Sequence, residues 1–258
     1  MRSNAGGTGL LIGALGDVHG KENLPLMEKD AERLRSCDLL LLAGDVTDSN
    51  DIESYGRVIS GLRELSDAEL IAVFGNEEYD EQHDEYRRRF PVTFLEEERK
   101  DIEVDDVKVR VVGSTGSLDR PTWWQRTHQP GAWERYRERV SEISELLVKE
   151  DVDLLALLTH YAPTYATLVG EKKGGYPEMG SLALEKAITD KRPDLVLHAH
   201  AHRGKTSAKL ARRQRSLEDF SAASSEVTVN NVSLPARGGV TFFEVRREEN
   251  GIDITELR

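Results

Sequence analysis

Leu39, Leu40, Leu41 and Leu42 form an unbroken apolar run between Asp38 and the small-residue turn Ala43-Gly44-Asp45. So short a run suits a strand buried on both faces, as in parallel sheets, better than an independent helix. Comparable runs stand at 10–15, 70–74, 154–158 and 195–197. Between the first of them the period changes. Pro25 suits a first helical turn, and Met27, Ala31 and Leu34 then share one helical face. Ile52, Tyr55, Ile59, Leu62 and Leu65 repeat at three and four, which predicts an amphipathic helix over 51–65. Strand, loop and helix follow one another three times, each loop opening on a small residue followed by Asp or Asn. That is the βαβ rhythm of an α/β fold.

The pattern then becomes less regular. Residues 79–90 predict a polar helix stopped by Pro91, with His83 solvated on it. Strands are predicted at 102–104 and 107–112, where Val107, Val109 and Val111 alternate. Residues 113–135, with Trp123, Trp124 and His128, read as a long loop of the kind that more often covers or binds than idles. Tyr136, Val140, Ile143 and Leu147 mark a helix to about Lys149, and a second helix falls around Leu184 to Ile188. The loop between, 161–180, is rich in Gly, Lys and Tyr, and strands near 227–234, 239–246 and 252–256 end the chain.

Composition narrows the class. The 258 residues are 38% hydrophobic and 32% charged, ample for one large core. No apolar run reaches a membrane span, and Leu10-Leu11-Ile12 is too short for a signal peptide, so a cytoplasmic protein without a membrane partner is expected. The single Cys37 excludes an internal disulfide framework, fits a reducing compartment and reads as packing beside its strand. A net charge of −12 argues against a protein that coats nucleic acid.

Candidate chemistry collects at the strand ends. Asp17 and His19, Asp45, Asn76, His160, and His200 with His202 each follow an apolar strand closely. In an α/β sheet such ends share one edge, so these side chains converge. Three oxygen donors and four imidazoles suit divalent Mn, Fe, Ni or Zn, while the thiolates of structural zinc sites are absent. Seven ligands exceed the need of one tetrahedral ion, so two ions sharing a carboxylate is the economical arrangement. Such a pair can clamp a phosphoryl group and generate hydroxide.

In order and spacing, Asp17-Val18-His19, Gly44-Asp45, Gly75-Asn76, His160 and the paired His200 and His202 resemble the signature of the calcineurin-like metallophosphoesterase superfamily. Asn231-Val232-Ser233-Leu234-Pro235-Ala236 is similar to an archaeal branch related to cyclic-nucleotide phosphodiesterases. The resemblance implies an α/β fold, a four-layer α/β/β/α sandwich of two mixed sheets flanked by helices. One domain over 1–258, with insertions at 113–135 and 203–226, is expected. It also implies a dimetal site, with Asp17, His19, Asp45 and His202 on one ion and a bridging Asp45, Asn76, His160 and His200 on the other. The reaction implied is hydrolysis of a phosphomonoester or phosphodiester by a metal-bridging hydroxide. The substrate would be a small phosphorylated molecule, a nucleotide among the candidates.

Two positions depart from the resemblance. Ala199 stands where Gly usually precedes the paired histidines, one methyl larger. The triplet Asn-His-Glu or Asn-His-Asp is Asn76-Glu77-Glu78, so Glu77 replaces a histidine that assists the scissile phosphate or leaving group. Asp45, Asn76 and Glu77 are the catalytic candidates. His128, Lys172 and Arg203 are candidate substrate contacts, and His198 reads as support for the histidine pair or as packing. The six cations Arg203, Lys205, Lys209, Arg212, Arg213 and Arg215, with no acid among them, make an anionic substrate flank or a solvated insertion. Two alternatives remain open. A nuclease is favoured by that run and opposed by net charge and by the lack of a DNA-binding module. An interaction scaffold on the same fold is opposed by the full ligand set.

Overall fold

In a computed structural model, residues 9–104, 106–211, 226–249 and 251–257 are described. The apolar runs become strands. β1 (Leu10–Leu15), β2 (Leu39–Ala43) and β3 (Glu69–Val73) pair in parallel, and a short β4 (Thr93–Phe94) extends them. On the other side of β1 lie the antiparallel β11 (Thr241–Glu248) and β12 (Gly251–Leu257). The second sheet repeats the plan. β6 (Val107–Ser114), β7 (Leu154–Thr159), β8 (Leu195–His198) and β10 (Val227–Asn231) run parallel. Antiparallel β5 (Glu98–Val104) and β9 (Ser207–Leu210) form its edges. Each sheet thus has six strands, in the orders β12-β11-β1-β2-β3-β4 and β5-β6-β7-β8-β10-β9.

Alternation within a strand decides what each layer touches. Leu39 and Leu41 of β2 face between the sheets, against Val109 and Val111 of β6 and Leu154 and Leu158 of β7. Leu40 and Leu42 face outward, against Met27, Leu34, Tyr55, Ile59 and Leu62. These belong to α1 (Leu24–Glu28), α2 (Ala31–Leu34) and α3 (Ile52–Leu65), the last capped by the Asp51 side chain on the Ser54 amide. On the far side, Leu155 and Leu157 meet Ile143 and Leu147, at the end of α6 (Ala132–Leu146), and Leu184 and Ile188 of α7 (Leu182–Lys191). This is the four-layer α/β/β/α sandwich. Truncating a side chain such as Leu41, fully buried, to Ala costs about 2–5 kcal/mol.

Several expectations change. Residues 113–135 are not one long loop. They contain α5 (Trp123–His128), started by a capping box in which Thr122 and Gln125 satisfy each other's amides. The polar helix over 79–90 divides into a 3₁₀ turn at Asp80–Gln82 and α4 (His83–Arg89). His83 is not solvated. It is 6% exposed, stacked on Phe74 with ring centroids 3.6 Å apart and paired with Glu96. The strand expected over 227–234 ends at Asn231 and gives way to α8 (Leu234–Arg237). The expected insertion at 203–226 contains β9, and its Arg212, Arg213 and Arg215 lie outside the described residues.

Candidate metal centre

Parallel strands bring their carboxyl ends to the same edge, and the loops there are bound to one another. The Asp17 amide donates to the Gly44 carbonyl, and the His19 amide to that of Asp45, each at 3.1 Å. Glycine makes the approach possible. A Cβ on Gly44, at φ +81°, would come 2.7 Å from the Gly75 amide nitrogen, and one on Gly75 would run into Asp45 Oδ1. Ala199 fits because a glycine faces it. A Cβ on Gly16 would lie only 2.5 Å from the Ala199 methyl. Asp17, His19, Asp45 and His200 all have positive φ, between 49° and 66°. Left-handed backbone at non-glycine residues costs energy and gathers at functional sites.

Two clusters result, each with donor atoms within 4.8 Å of one another: Asp45, His160 and His200, and Asp17, His19 and His202. In the first, His160 is fully buried, and its Nδ1 lies 2.9 Å from the Ala43 carbonyl. A carbonyl only accepts, so that nitrogen carries the proton and Nε2 faces inward. There it meets Asn76 Oδ1 at 3.0 Å, His200 Nδ1 at 3.1 Å and Asp45 Oδ2 at 3.4 Å. A single proton there cannot serve the Asn76 and Asp45 oxygens together, and the His200 nitrogen donates or accepts with its tautomer. Burial alone would lower the His160 pKa, but Asp45, Asp17 and the Ala43 carbonyl prevail and raise it to about 9. Burial, with the charge of His160, drives His200 down to about 3. The cluster therefore draws positive charge to its centre while keeping His200 neutral. Its donor set fits a divalent cation.

The second cluster is more open. His19 places Nδ1 2.6 Å from Asp48 Oδ1, a carboxylate–histidine pair that turns Nε2 inward. That Nε2 lies 3.3 Å from His202 Nε2, which is 3.5 Å from Asp17 Oδ2. Asp17 also accepts the His200 amide at 2.9 Å. Burial opposes ionisation of Asp17, yet the His202 hydrogen bond and the charge of His160 hold its pKa down to about 2. The Asp17 carboxylate in turn raises that of His202. Here too the oxygen and imidazole donors suit a cation of intermediate hardness.

Two supporting carboxylates escape sequence reasoning. Asp48 is one. Glu78 is the other: 2% exposed, it accepts the amides of Asp45, Val46, Thr47 and Gly75 at 2.8–3.2 Å, tying the two glycine loops together. Burial and nearby Asp45 raise its pKa to about 7 against the pull of those amides. Glu77 turns beside the site. Its carboxylate accepts the Ser49 amide at 2.7 Å and Asn76 Nδ2 at 3.1 Å, and its own amide donates to Asp45 Oδ1 at 2.9 Å.

The candidate substrate contacts are dispersed. His128 is exposed and stacks on Trp124, with centroids 5.0 Å apart, while its Nδ1 meets the Trp124 carbonyl. Lys172 and Arg203 are exposed in neighbouring loops, the Arg203 amide donating to Glu171. None of the three lines the cavity of about 650 Å³ that opens against Asn76 and His200. His198 is buried, its ring between the Ala199 carbonyl and the Thr167 hydroxyl. Lys209 pairs with Glu226 at 3.1 Å. Burial raises the Cys37 thiol to about 12, consistent with packing.

With this geometry in place, comparison with known proteins defines the class. The profile of the calcineurin-like phosphoesterases matches residues 10–204. The chain belongs to that family. None of the curated proteins matches its sequence. Among solved structures, a candidate 5′-nucleotidase of Staphylococcus aureus superposes with TM-score 0.60 at 14% identity, covering 96% of this chain and 53% of that one. Phosphopantetheinyl hydrolase of Mycobacterium tuberculosis gives 0.58 at 17% identity, with 90% and 92% covered. A purple acid phosphatase from yellow lupin seeds gives 0.56 at 11%, with 97% and 52% covered. The chain spans about half the length of the first and third of these. At such identities the likeness establishes the fold. Among the described residues, no helix is long and apolar enough to cross a membrane.

Proposed function

We propose that the protein hydrolyses a small phosphomonoester or phosphodiester with two divalent ions held at the common edge of its sheets. The observation that carries this reading is the convergence of inward-facing donors in two adjoining clusters, beyond what protons alone can satisfy. Asp17, His19, Asp45 and His202 would hold one ion, and Asp45, Asn76, His160 and His200 the other. Bound there, the ions would supply an activated water and positive charge against the phosphoryl oxygens.

The chain's own groups orient these donors. The Ala43 carbonyl and Asp48 set the tautomers of His160 and His19. Glu77 holds Asn76 Nδ2, which turns Oδ1 towards His160 Nε2 and the cluster centre. Glu77 thus acts through Asn76, as a positioning residue, and its carboxylate is committed to two donors. Glu78 fixes the Asp45 loop from behind. No imidazole occupies position 77 to protonate a leaving group, so aryl esters should turn over faster than alkyl esters, sugar phosphates and nucleotides among them.

The test is hydrolysis of p-nitrophenyl phosphate and bis-p-nitrophenyl phosphate by chelator-treated protein, with Mn, Ni, Fe, Zn or Mg then added singly. The expected result is loss of turnover on chelation and recovery with at least one ion. Turnover indifferent to chelation, or none with any ion and ester, would contradict the reading.

A further inference from the structure

The cavity of about 650 Å³ beside Asn76 and His200 reaches well beyond the donor clusters, and its walls differ from theirs. Tyr136 and Tyr161, 7% and 4% exposed, contribute to its lining, and Tyr161 packs edge-on to the His200 ring with centroids 5.1 Å apart. Two further lining residues, Trp124 and Tyr79, are among the exposed large hydrophobics, at 55% and 46%. His128 stacks against the Trp124 indole, yet that ring still lines the cavity. α5, which carries Trp124, is fixed at its start by the capping box, so the ring is presented on an ordered turn.

Charge limits what can enter. The lining arginines are engaged: Arg135 with Glu97 and Glu142, Arg139 with Glu97. The lining Glu178 is in turn paired with Arg120 and Arg126. Asp80 and Glu81 on the rim leave the cavity acidic, which disfavours additional phosphates away from the clusters. What remains is aromatic surface, the side-chain amide of Gln129, phenol hydroxyls and rim carboxylates. Flat aromatic faces with acceptors at their edge match a planar heterocycle that carries amino groups.

We propose that this cavity binds the nucleobase of a nucleotide substrate, amino-bearing and uncharged, while its phosphoester reaches the Asn76 and His200 end. The placement of the ester rests on the hydrolase reading above, whereas base binding does not. Trp124 is the stacking surface and Tyr79 contributes a second aromatic side chain at the cavity. The cavity accommodates one base and its sugar, and selects a nucleoside monophosphate or cyclic nucleotide over more highly charged nucleotides.

Adenosine, which has no phosphate, separates the two readings when titrated into metal-free protein with tryptophan fluorescence as the signal. Wild type and Trp133→Ala should show saturable quenching, since Trp133 lies outside the cavity lining. Replacing Trp124 also removes the reporter, so those variants are read by calorimetric titration: Trp124→Ala should lose affinity for adenosine, with Trp124→Phe intermediate. Loss of one stacked base–aromatic contact corresponds to about tenfold weaker binding or more. With metal present, preference for adenosine monophosphate over ribose 5-phosphate, as a ratio of kcat/KM, should fall about as far in Trp124→Ala and hold in Trp133→Ala. Absence of saturable quenching in wild type, or equal calorimetric affinity in Trp124→Ala, overturns the nucleobase site even if ribose 5-phosphate is hydrolysed. Adenosine affinity that depends on Trp124 without hydrolysis of any ester supports the site and overturns the hydrolase reading instead.

Discussion

The two donor clusters use the same side-chain types in different surroundings. Around Asp45 and His160 the side chains are 3% and 0% exposed, and a backbone carbonyl sets the imidazole. Around Asp17 and His202 one carboxylate is fully buried, but the His202 side chain is 42% exposed and the support for His19 is Asp48, itself 52% exposed. A backbone carbonyl held by a strand end cannot rotate away, whereas a solvated carboxylate can. The inner cluster is therefore the more preorganised, and its affinity for a cation should be the greater.

Substitutions sharpen this contrast, and the largest effect should come from the residue proposed to serve both clusters. Asp45→Asn should cut turnover of bis-p-nitrophenyl phosphate by orders of magnitude with the circular dichroism unchanged. Near-normal turnover would remove Asp45 from the centre. His160→Ala should follow, costing more in Mn affinity than His202→Ala, as read by calorimetric titration. Equal losses would erase the difference between the clusters. Asp48→Ala removes only the support of His19, so metal affinity at the open cluster should weaken by about 10–100-fold, leaving the inner site unaffected. Glu77→Ala frees the Asn76 amide, and a loss of roughly tenfold in metal affinity is expected at the inner cluster alone.

The smallest effect lies away from both clusters and concerns pH. Burial opposes charge on His83, but its hydrogen bond and ion pair to Glu96 prevail and raise its pKa above 6.5. A raised histidine contributes stability that is fully present below the unfolded value of about 6.5 and lost as pH rises through the folded one. Melting of the wild type should thus decline more steeply from pH 6.5 upward than that of His83→Gln. Parallel curves would show that the ion pair contributes nothing.

The strand ends were readable because apolar runs stop at Gly44-Asp45, Gly75-Asn76 and Thr159-His160, and a parallel sheet forces such ends together. The donor residues needed no knowledge of long-range contacts. Their supports did. Glu78 binds amides 31–33 residues away at Asp45 to Thr47, and Asp48 meets His19 across 29 residues. No local pattern encodes either contact. The burial of His83 is hidden from its local sequence, whose residues are polar, because Phe74 and Glu96, which bury it, come from β3's end and the strand-to-strand connection. α5 carried a legible Thr122-x-x-Gln125 start, but six residues with two tryptophans present too little amphipathic period to mark a helix. β4 is only two residues long and below the reach of any period.

The most direct test of the account is the number of Mn ions bound per chain by equilibrium dialysis, in the wild type and in Asp45→Asn. The account predicts two ions in the wild type, the first bound more tightly, and weakened retention at both positions when Asp45 is replaced. A single ion in the wild type, or two ions held with unchanged affinity by Asp45→Asn, would contradict it.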